Sequence, residues 1–589
     1  MFSQPQTVRN GLPNTSAIIA GTLPVKGINA RDAFARMAPD DAIDLMNVVS
    51  DSYGISTRNG FQEFAINLPG NMAVPTLMTH YPATAAPTYE GLNTVPLYGL
   101  IKQYAPRATT PVLGGELFAC TNGTIFNVTA GGVGPWVAQA NVSGRTTDYW
   151  SWLNYQNEAS NFLIAVNENG GYYTYGGAGF SSGFSTGFSI SSTGFTHIAA
   201  GPLPGQIDGV NPELFVYVAS WKRRLWFIEK ASTRAWYLPA QQITGLATMF
   251  DFGSNFRHGG RLVALVSWAS DGGEGLDDYL VALSSQGDVV IYKGTDPSSV
   301  DTFSIHGIWY VGALPKGSRI VDPIGGDVHI LSVMGLTQLS KLVAIGQIAN
   351  VVTEQSGSRI DPLIRSYMES LADLDGWYVK YVPHEAMVFI GVPQKLSGEG
   401  PTQLVLKVRQ NAWSRYQGLP MSVIANHGSV VFGGGNIDAS QYNTGGKVLQ
   451  LFNNALDYVT LADPTSGNMI LCRLVGAYQE LGTPGMFKNV NMVRPTFVAP
   501  IPPKAKLTLL TDYGQTDQFS TPTLPSPSNS RWDIAHWGQG TWGGLSQPIK
   551  KWLGINGGGF AATVQIDYVA AGGTRVTAID YNAEQGGPL

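Results

Sequence analysis

The chain has 589 residues, 13% of them charged and 44% hydrophobic, with 71 glycines, 35 prolines and a formal net charge of −5. So few charges beside so many turn formers point to short strands and tight turns rather than salt-bridged helices, and the acidic balance supplies no basic field for gripping nucleic acid. No apolar run nears the roughly 18 residues that a membrane-spanning helix needs, and the opening Met1-Phe2-Ser3-Gln4 lacks the basic and apolar regions of a secretory leader, so neither membrane insertion of the folded chain nor leader-directed secretion is expected.

Residues 1–70 read as an N-terminal arm and docking segment, in which Ala42, Ile43, Leu45 and Met46 after Pro39 predict one short helix. From 71 to 460, strand–turn–strand units recur near Phe118, Phe162, Leu225, Leu280, Val328, Val388 and Val430. Their spacing of about 40 to 60 residues is the period of four-stranded propeller blades. The stretch from Trp221 to Ser340 repeats the theme most plainly. Leu225-Trp226-Phe227-Ile228-Glu229 turns over Ser232-Thr233 into Ala235-Trp236-Tyr237-Leu238, and Tyr279 to Leu283 crosses Ser284-Ser285-Gln286-Gly287 into Asp288 to Tyr292. Each reads as a hairpin. A lone blade leaves its faces and edges open, whereas a closed ring buries the faces and keeps the edges short. The expected fold is all-β: a β-propeller of about six blades, with an additional C-terminal β domain and a short N-terminal arm. Residues 461–589 read as that separate domain, a β-sandwich-like platform, the alternative being a final blade closed by extra strands. Cys120 and Cys472 lie in strand-like contexts, where buried reduced thiols are commoner than a disulfide.

Signatures of chemistry are missing from the sequence. The eight histidines are scattered singly, without a His-Glu-x-x-His helix or zinc-ligand spacing, and neither a Gly-x-Ser-x-Gly elbow nor a phosphate loop occurs. The expectation is a protein with no catalytic residue, no metal and no cofactor. Asp271, Glu274, Asp277 and Asp278 form an acidic Gly-rich loop, the best candidate for a cation site, although its spacing differs from that of an EF-hand and a solvated blade turn is the simpler reading. Lys222-Arg223-Arg224 runs into Leu225-Trp226-Phe227, which reads as a polar turn entering a buried strand more readily than as a single-strand nucleic-acid site. Phe180, Phe184, Phe188 and Phe195 punctuate a Gly/Ser-rich stretch. They mark a tip or lumen loop that contacts a partner or narrows a channel, or else tucks onto its own blade. Trp532, Trp537 and Trp542 recur every five residues, a period of neither helix nor strand. They suit either subunit packing or anchoring of a loop onto its own domain.

Several runs carry a resemblance. Arg224 to Glu229, Trp236-Tyr237-Leu238-Pro239, Phe256-Arg257-His258-Gly259-Gly260, Trp268 with the acidic loop 271–278, Ser284 to Gly287 and Tyr292 to Pro297 are similar to segments of structural tail proteins of short-tailed bacteriophages, the podoviruses. So are Asn29-Ala30-Arg31-Asp32, Met37 to Ile43, Asn59-Gly60, and Trp532-Asp533 with Trp537 and Trp542. The chain resembles a tail nozzle, also called a tail tubular or hub protein, with the likeness weakening around the Gly-Phe-Ser loop and after Trp377. What the resemblance implies is a homohexamer around the tail axis, one propeller per subunit, stacked below portal and adaptor rings and meeting tail fibre or needle proteins. Genome DNA would pass non-specifically through the central channel, which serves its retention and ejection. The protein would be made in the host bacterial cytoplasm and reside in the virion. Arg31, Asp32, Phe34 and Met37, or the three tryptophans, are then expected at subunit or adaptor contacts. The alternative expectation is a receptor-binding or glycan-acting propeller of the tail, resting on aromatics that could stack on sugars.

Overall fold

The computed structural model describes residues 16–69, 74–81, 115–121, 123–142, 148–157, 160–176, 194–271, 276–299, 301–344, 359–393, 401–435, 446–464, 466–482, 484–499, 501–514, 519–520 and 547–586. The chain divides into two compact units, Asn59–Asn468 and Met1–Arg58 with Met469–Leu589.

Asn59–Asn468 is a β-propeller. Its antiparallel sheets follow in chain order: blade one within 76–141, blade two within 151–198, blade three within 215–251 and blade four within 262–310. A fifth sheet lies within 321–338, blade six within 378–417, and blade seven combines strands within 423–454 with Gly60–Leu68. Among the described residues six of these have four strands, in keeping with the propeller of about six blades that the sequence predicts, and the fifth has three. Every sheet touches the next, and blade seven touches blade one, mostly through first strands such as Thr76–His80, Phe215–Trp221, Tyr378–Val382 and Val423–His427. Those first strands therefore form the inner ring.

Between sheets the apolar faces meet. Phe162 and Ile164 of blade two pack with Phe215, Leu225 and Phe227 of blade three, and Trp226 and Ile228 of blade three with Leu280 and Tyr292 of blade four. Phe64 and Phe432 of blade seven pack with Leu77 and Leu117 of blade one. Each such side chain removed from water contributes about 1.5–3 kcal/mol, which explains why nearly continuous apolar strands such as Phe162 to Val166 occur here.

Among the described residues two α-helices interrupt the β pattern. Leu339–Ala344 and Asp361–Leu371 follow the third strand of the fifth sheet, and both pack on it. Ile360, Ile364, Met368 and Leu371 are buried, one helical stripe with Pro362 in its first turn. Asp361 comes so close that a Cβ at Gly335, whose φ is +114°, would lie 2.0 Å from its carboxylate. A helix thus takes the place of a fourth strand.

Two expectations are corrected here. Ala42–Met46 is a strand, paired antiparallel with Ile470–Gly476 so that Leu45 faces Leu474. Five residues nucleate a helix poorly, and a long-range ladder satisfies the same backbone groups. The stretch 1–70 is also not one arm: Gly60–Leu68 belongs to the propeller, where Phe61, Phe64 and Leu68 are buried, whereas residues up to Arg58 belong to the other unit.

In that other unit, Lys488–Ala499 and Arg575–Gln585 are the long central strands of one sheet, and Ile470–Gly476, Ala562–Ala570 and Lys504–Thr511 run side by side in a second. Phe497 of the first lies 5.5 Å from Tyr568 of the second, ring to ring, and Thr57 donates its hydroxyl to Tyr568 (3.3 Å). Both cysteines are buried thiols outside any disulfide.

Candidate functional site

At the front, Asn29 organises the predicted contact segment. Its amide donates to Asp32 (2.9 Å) and Asp41 (2.8 Å), and its oxygen accepts from the backbone N–H groups of Arg31 and Asp32. Arg31 closes a half-exposed ion pair on Asp32 at 2.8 Å, a contact worth at most about 1 kcal/mol at the surface. Met37 is buried. Phe34, by contrast, is 49% exposed and lies 6.3 Å from Tyr478, which lies 4.8 Å from Tyr513. This aromatic trio was only half visible in the sequence, because Tyr478 and Tyr513 come from connections more than 400 residues away, each just beyond a strand end and beyond any local pattern.

Phe195 is half-buried against Phe118 (5.2 Å) and Tyr175 (5.1 Å) of blades one and two. Phe180, Phe184 and Phe188 lie outside the described residues, as do Glu274 and the three tryptophans Trp532, Trp537 and Trp542. Asp271 and Asp277 stand on the strands that flank that acidic loop in blade four. Asp278 forms an ion pair with Lys222 at 3.0 Å, and Trp221 donates its indole N–H to the Asp278 carbonyl (3.3 Å). The basic run and the acidic loop therefore meet each other. Lys222 and Arg223, both at positive φ, make the tight turn between two strands of blade three. Among the described residues no group of three acidic, histidine or cysteine side chains is placed to hold a metal ion.

The polar residues that the fold does gather lie at the two ends of the inner ring. At the end where inner strands begin, Arg319 reaches from the loop before the fifth sheet to the first and second blades. It donates to the Pro75 carbonyl, to Thr76 Oγ1 (2.5 Å) and to the Trp150 carbonyl (3.1 Å), and lies over the Tyr149 ring at 5.1 Å. Its own carbonyl accepts from Val379 N of blade six. Desolvation brings its pKa down to about 10, which leaves it charged at neutral pH. Asp322 accepts from Lys380 (2.9 Å) and from Tyr381 N (2.8 Å), and Asn426 of blade seven donates to the Tyr381 carbonyl (2.8 Å). The Arg319 bonds tie opposite sides of the ring, and those of Asp322 and Asn426 join neighbouring blades.

Where the inner strands end, His80 of blade one and His427 of blade seven flank the seam between the first and last blades. Tyr81 packs 5.0 Å from His427 and accepts from Gly428 N. Asn154 bridges His80 Nδ1 (3.2 Å) and the Thr79 carbonyl (2.8 Å), and Tyr175 donates to Glu116 at 2.6 Å. Burial holds both imidazoles below their ordinary pKa, for His80 against the opposing pull of Asn154 and Glu116, and raises that of Tyr175. The arrangement packs neutral rings against a phenol–carboxylate pair and contains no activated nucleophile among the described residues.

The fold defines the class, an all-β propeller protein with a second β unit. No protein-family model matches the chain, and no curated protein matches it. Solved structures similar to it include an exo-β-1,3-galactanase from Phanerochaete chrysosporium with galactose, at 10% identity over 73% of this chain and 95% of that one, TM-score 0.22. A nidogen/laminin complex aligns at 10% identity over 51% and 92%, TM-score 0.27. A BBS1N complex with ARL6DN aligns at 12% identity over 49% and 72%, TM-score 0.24. Likeness at that level carries no argument about function.

Proposed function

We propose that the chain is a structural subunit of a short-tailed phage tail, a nozzle protein that assembles with its own copies into a ring-shaped conduit for DNA. The observation that carries this reading is the trio of exposed Phe34, half-buried Tyr478 and exposed Tyr513 beside the Arg31–Asp32 pair, an aromatic surface of the kind that subunit interfaces use. Together they include three of the residues that the family resemblance puts at contacts, Arg31, Asp32 and Phe34. Because Arg319 and its partners cross the propeller axis, the DNA path in such an assembly runs between subunits rather than through each propeller. Light scattering of the purified protein, alone and with its adaptor proteins, followed by electron microscopy, tests the reading. A sixfold ring with an open axis is the expected result, and a monomer that persists in the presence of the adaptor overturns it.

A second reading, a glycan-binding propeller, is favoured by one feature of blade four. The register shift between Ile291 and Tyr292 leaves His306 unpaired in its strand, 5.1 Å from Tyr279 and 6.1 Å from Trp309. Such a row of rings on a sheet suits stacking on sugar faces. A glycan array on which the protein retains nothing removes this reading.

A further inference from the structure

The loop joining the outer strand of blade three to the inner strand of blade four reads Phe256-Arg257-His258-Gly259-Gly260-Arg261. Arg257, His258 and Arg261 are exposed, and neither guanidinium meets a carboxylate among the described residues. The carboxylates close in sequence are occupied. Asp251 accepts from Thr233 (2.7 Å) and Gly253 N (2.8 Å), and Glu229 accepts from Arg234 and from the Trp236 indole (2.8 Å). The loop keeps an excess of positive charge on a chain whose net charge is −5.

Asp288, only 1% exposed, orients the third group. It accepts from His258 N and from His258 Nδ1, both at 2.7 Å, while the Tyr310 ring supports the imidazole at 4.2 Å. With Nδ1 committed to a buried carboxylate, Nε2 is the ring nitrogen left to face a ligand. Gly259 and Gly260, at φ +74° and +89°, turn the chain back so that Arg261 pairs with Ser285 through its backbone N–H (3.1 Å) and carbonyl (2.8 Å), leaving the guanidinium unused by the turn.

We propose that this loop, Arg257 to Arg261, is a phosphate-binding site. Two forked guanidiniums, with the oriented imidazole between them in sequence, offer more donors than a planar carboxylate accepts, whereas a tetrahedral oxyanion has oxygens for both forks. The site goes beyond the assembly reading and does not need it, since a monomer carries the whole loop.

The test is fluorescence anisotropy at low salt on the full-length protein with a labelled ten-residue oligothymidylate as a phosphodiester probe. Inorganic phosphate and an oligogalacturonate serve as competitors. Arg257→Gln with Arg261→Gln is expected to weaken binding about tenfold and to reduce the slope of log affinity against log salt by about two. Lys504→Gln with Lys550→Gln, which removes the same charge from exposed positions of the other unit, is expected to leave both nearly unchanged. Competition by inorganic phosphate identifies the group itself as the ligand, and competition only by the oligomer identifies the phosphodiester chain; either supports the site. Equal competition by the oligogalacturonate, equal loss in the lysine pair, or no binding at low salt overturns it. Ring formation is measured separately, so failure here and failure of the assembly reading remain distinguishable.

Discussion

Arg319 shows how one side chain serves a ring. A lysine there offers a point charge in place of a planar fork and cannot serve Pro75, Thr76 and Trp150 together. Arg319→Met should destabilise the protein by roughly 3 kcal/mol, because two carbonyls and a hydroxyl lose their donor in a water-poor setting, and Arg319→Lys should recover less than half of that in urea unfolding. The histidines give a pH dependence whose sign follows from burial. His80, His329 and His427 all lie below the ordinary 6.5 when folded, chiefly through desolvation. Below pH 6.5 the unfolded chain takes up protons that the folded chain refuses. Stability is therefore complete above about 6.5 and is lost as pH falls through the window beneath it. Unfolding midpoints at pH 7.5 and 5 should differ in that direction, and His427→Phe should shrink the difference; a midpoint that rises on acidification would refute the assignment.

At the level of elements, the joint between Gly446–Asn454 and Gly60–Leu68 closes the propeller without a covalent link. Lys447 and Glu63 pair across it at 2.5 Å with side chains 8% and 11% exposed, and Glu63 also accepts from Leu461 N (3.2 Å). Removing one partner strands the other, so Lys447→Met should cost about 3–5 kcal/mol. Adding Glu63→Gln, which still accepts from Leu461, should recover most of it in the same thermal or urea assay. The hairpins of blades three and four were legible in the sequence because alternation and Gly-bearing turns are local signals. Gly60–Leu68 was not, since its partner lies nearly 400 residues away, and the helix Asp361–Leu371 went unread although its buried positions keep helical spacing behind Asp361-Pro362. The short helix expected at Ala42–Met46 failed for the complementary reason: four apolar residues cannot outweigh a ladder with Ile470–Gly476 that no local window contains. Of the candidate site residues, Phe34 and Asp278 met partners that distance in sequence concealed, and the His258–Asp288 pair joins a loop to the start of a strand 30 residues on, which no local pattern links.

For the molecule as a whole, assembly should be separable from folding. Phe34 and Tyr513 are 49% and 46% exposed, so Phe34→Ala with Tyr513→Ala should leave circular dichroism and melting nearly intact while lowering the mass measured by light scattering toward that of a monomer. An unchanged oligomer would place the interface elsewhere.

The late closure of blade seven has a consequence on the ribosome. Glu63 leaves the exit tunnel 384 residues before its partner Lys447, a wait of roughly 20 to 80 seconds at usual elongation rates. Throughout that interval the propeller's first-made strand lacks its ladder partner and has only the short bridge from Ala65 to Gly132, and a neighbouring nascent chain on the same message can supply the missing strand. Limited proteolysis of stalled nascent chains should find residues 60–68 cleavable when synthesis stops before residue 446 and protected once residue 454 is out. Protection at the earlier stall would mean that something other than the chain's own last blade guards its first strand.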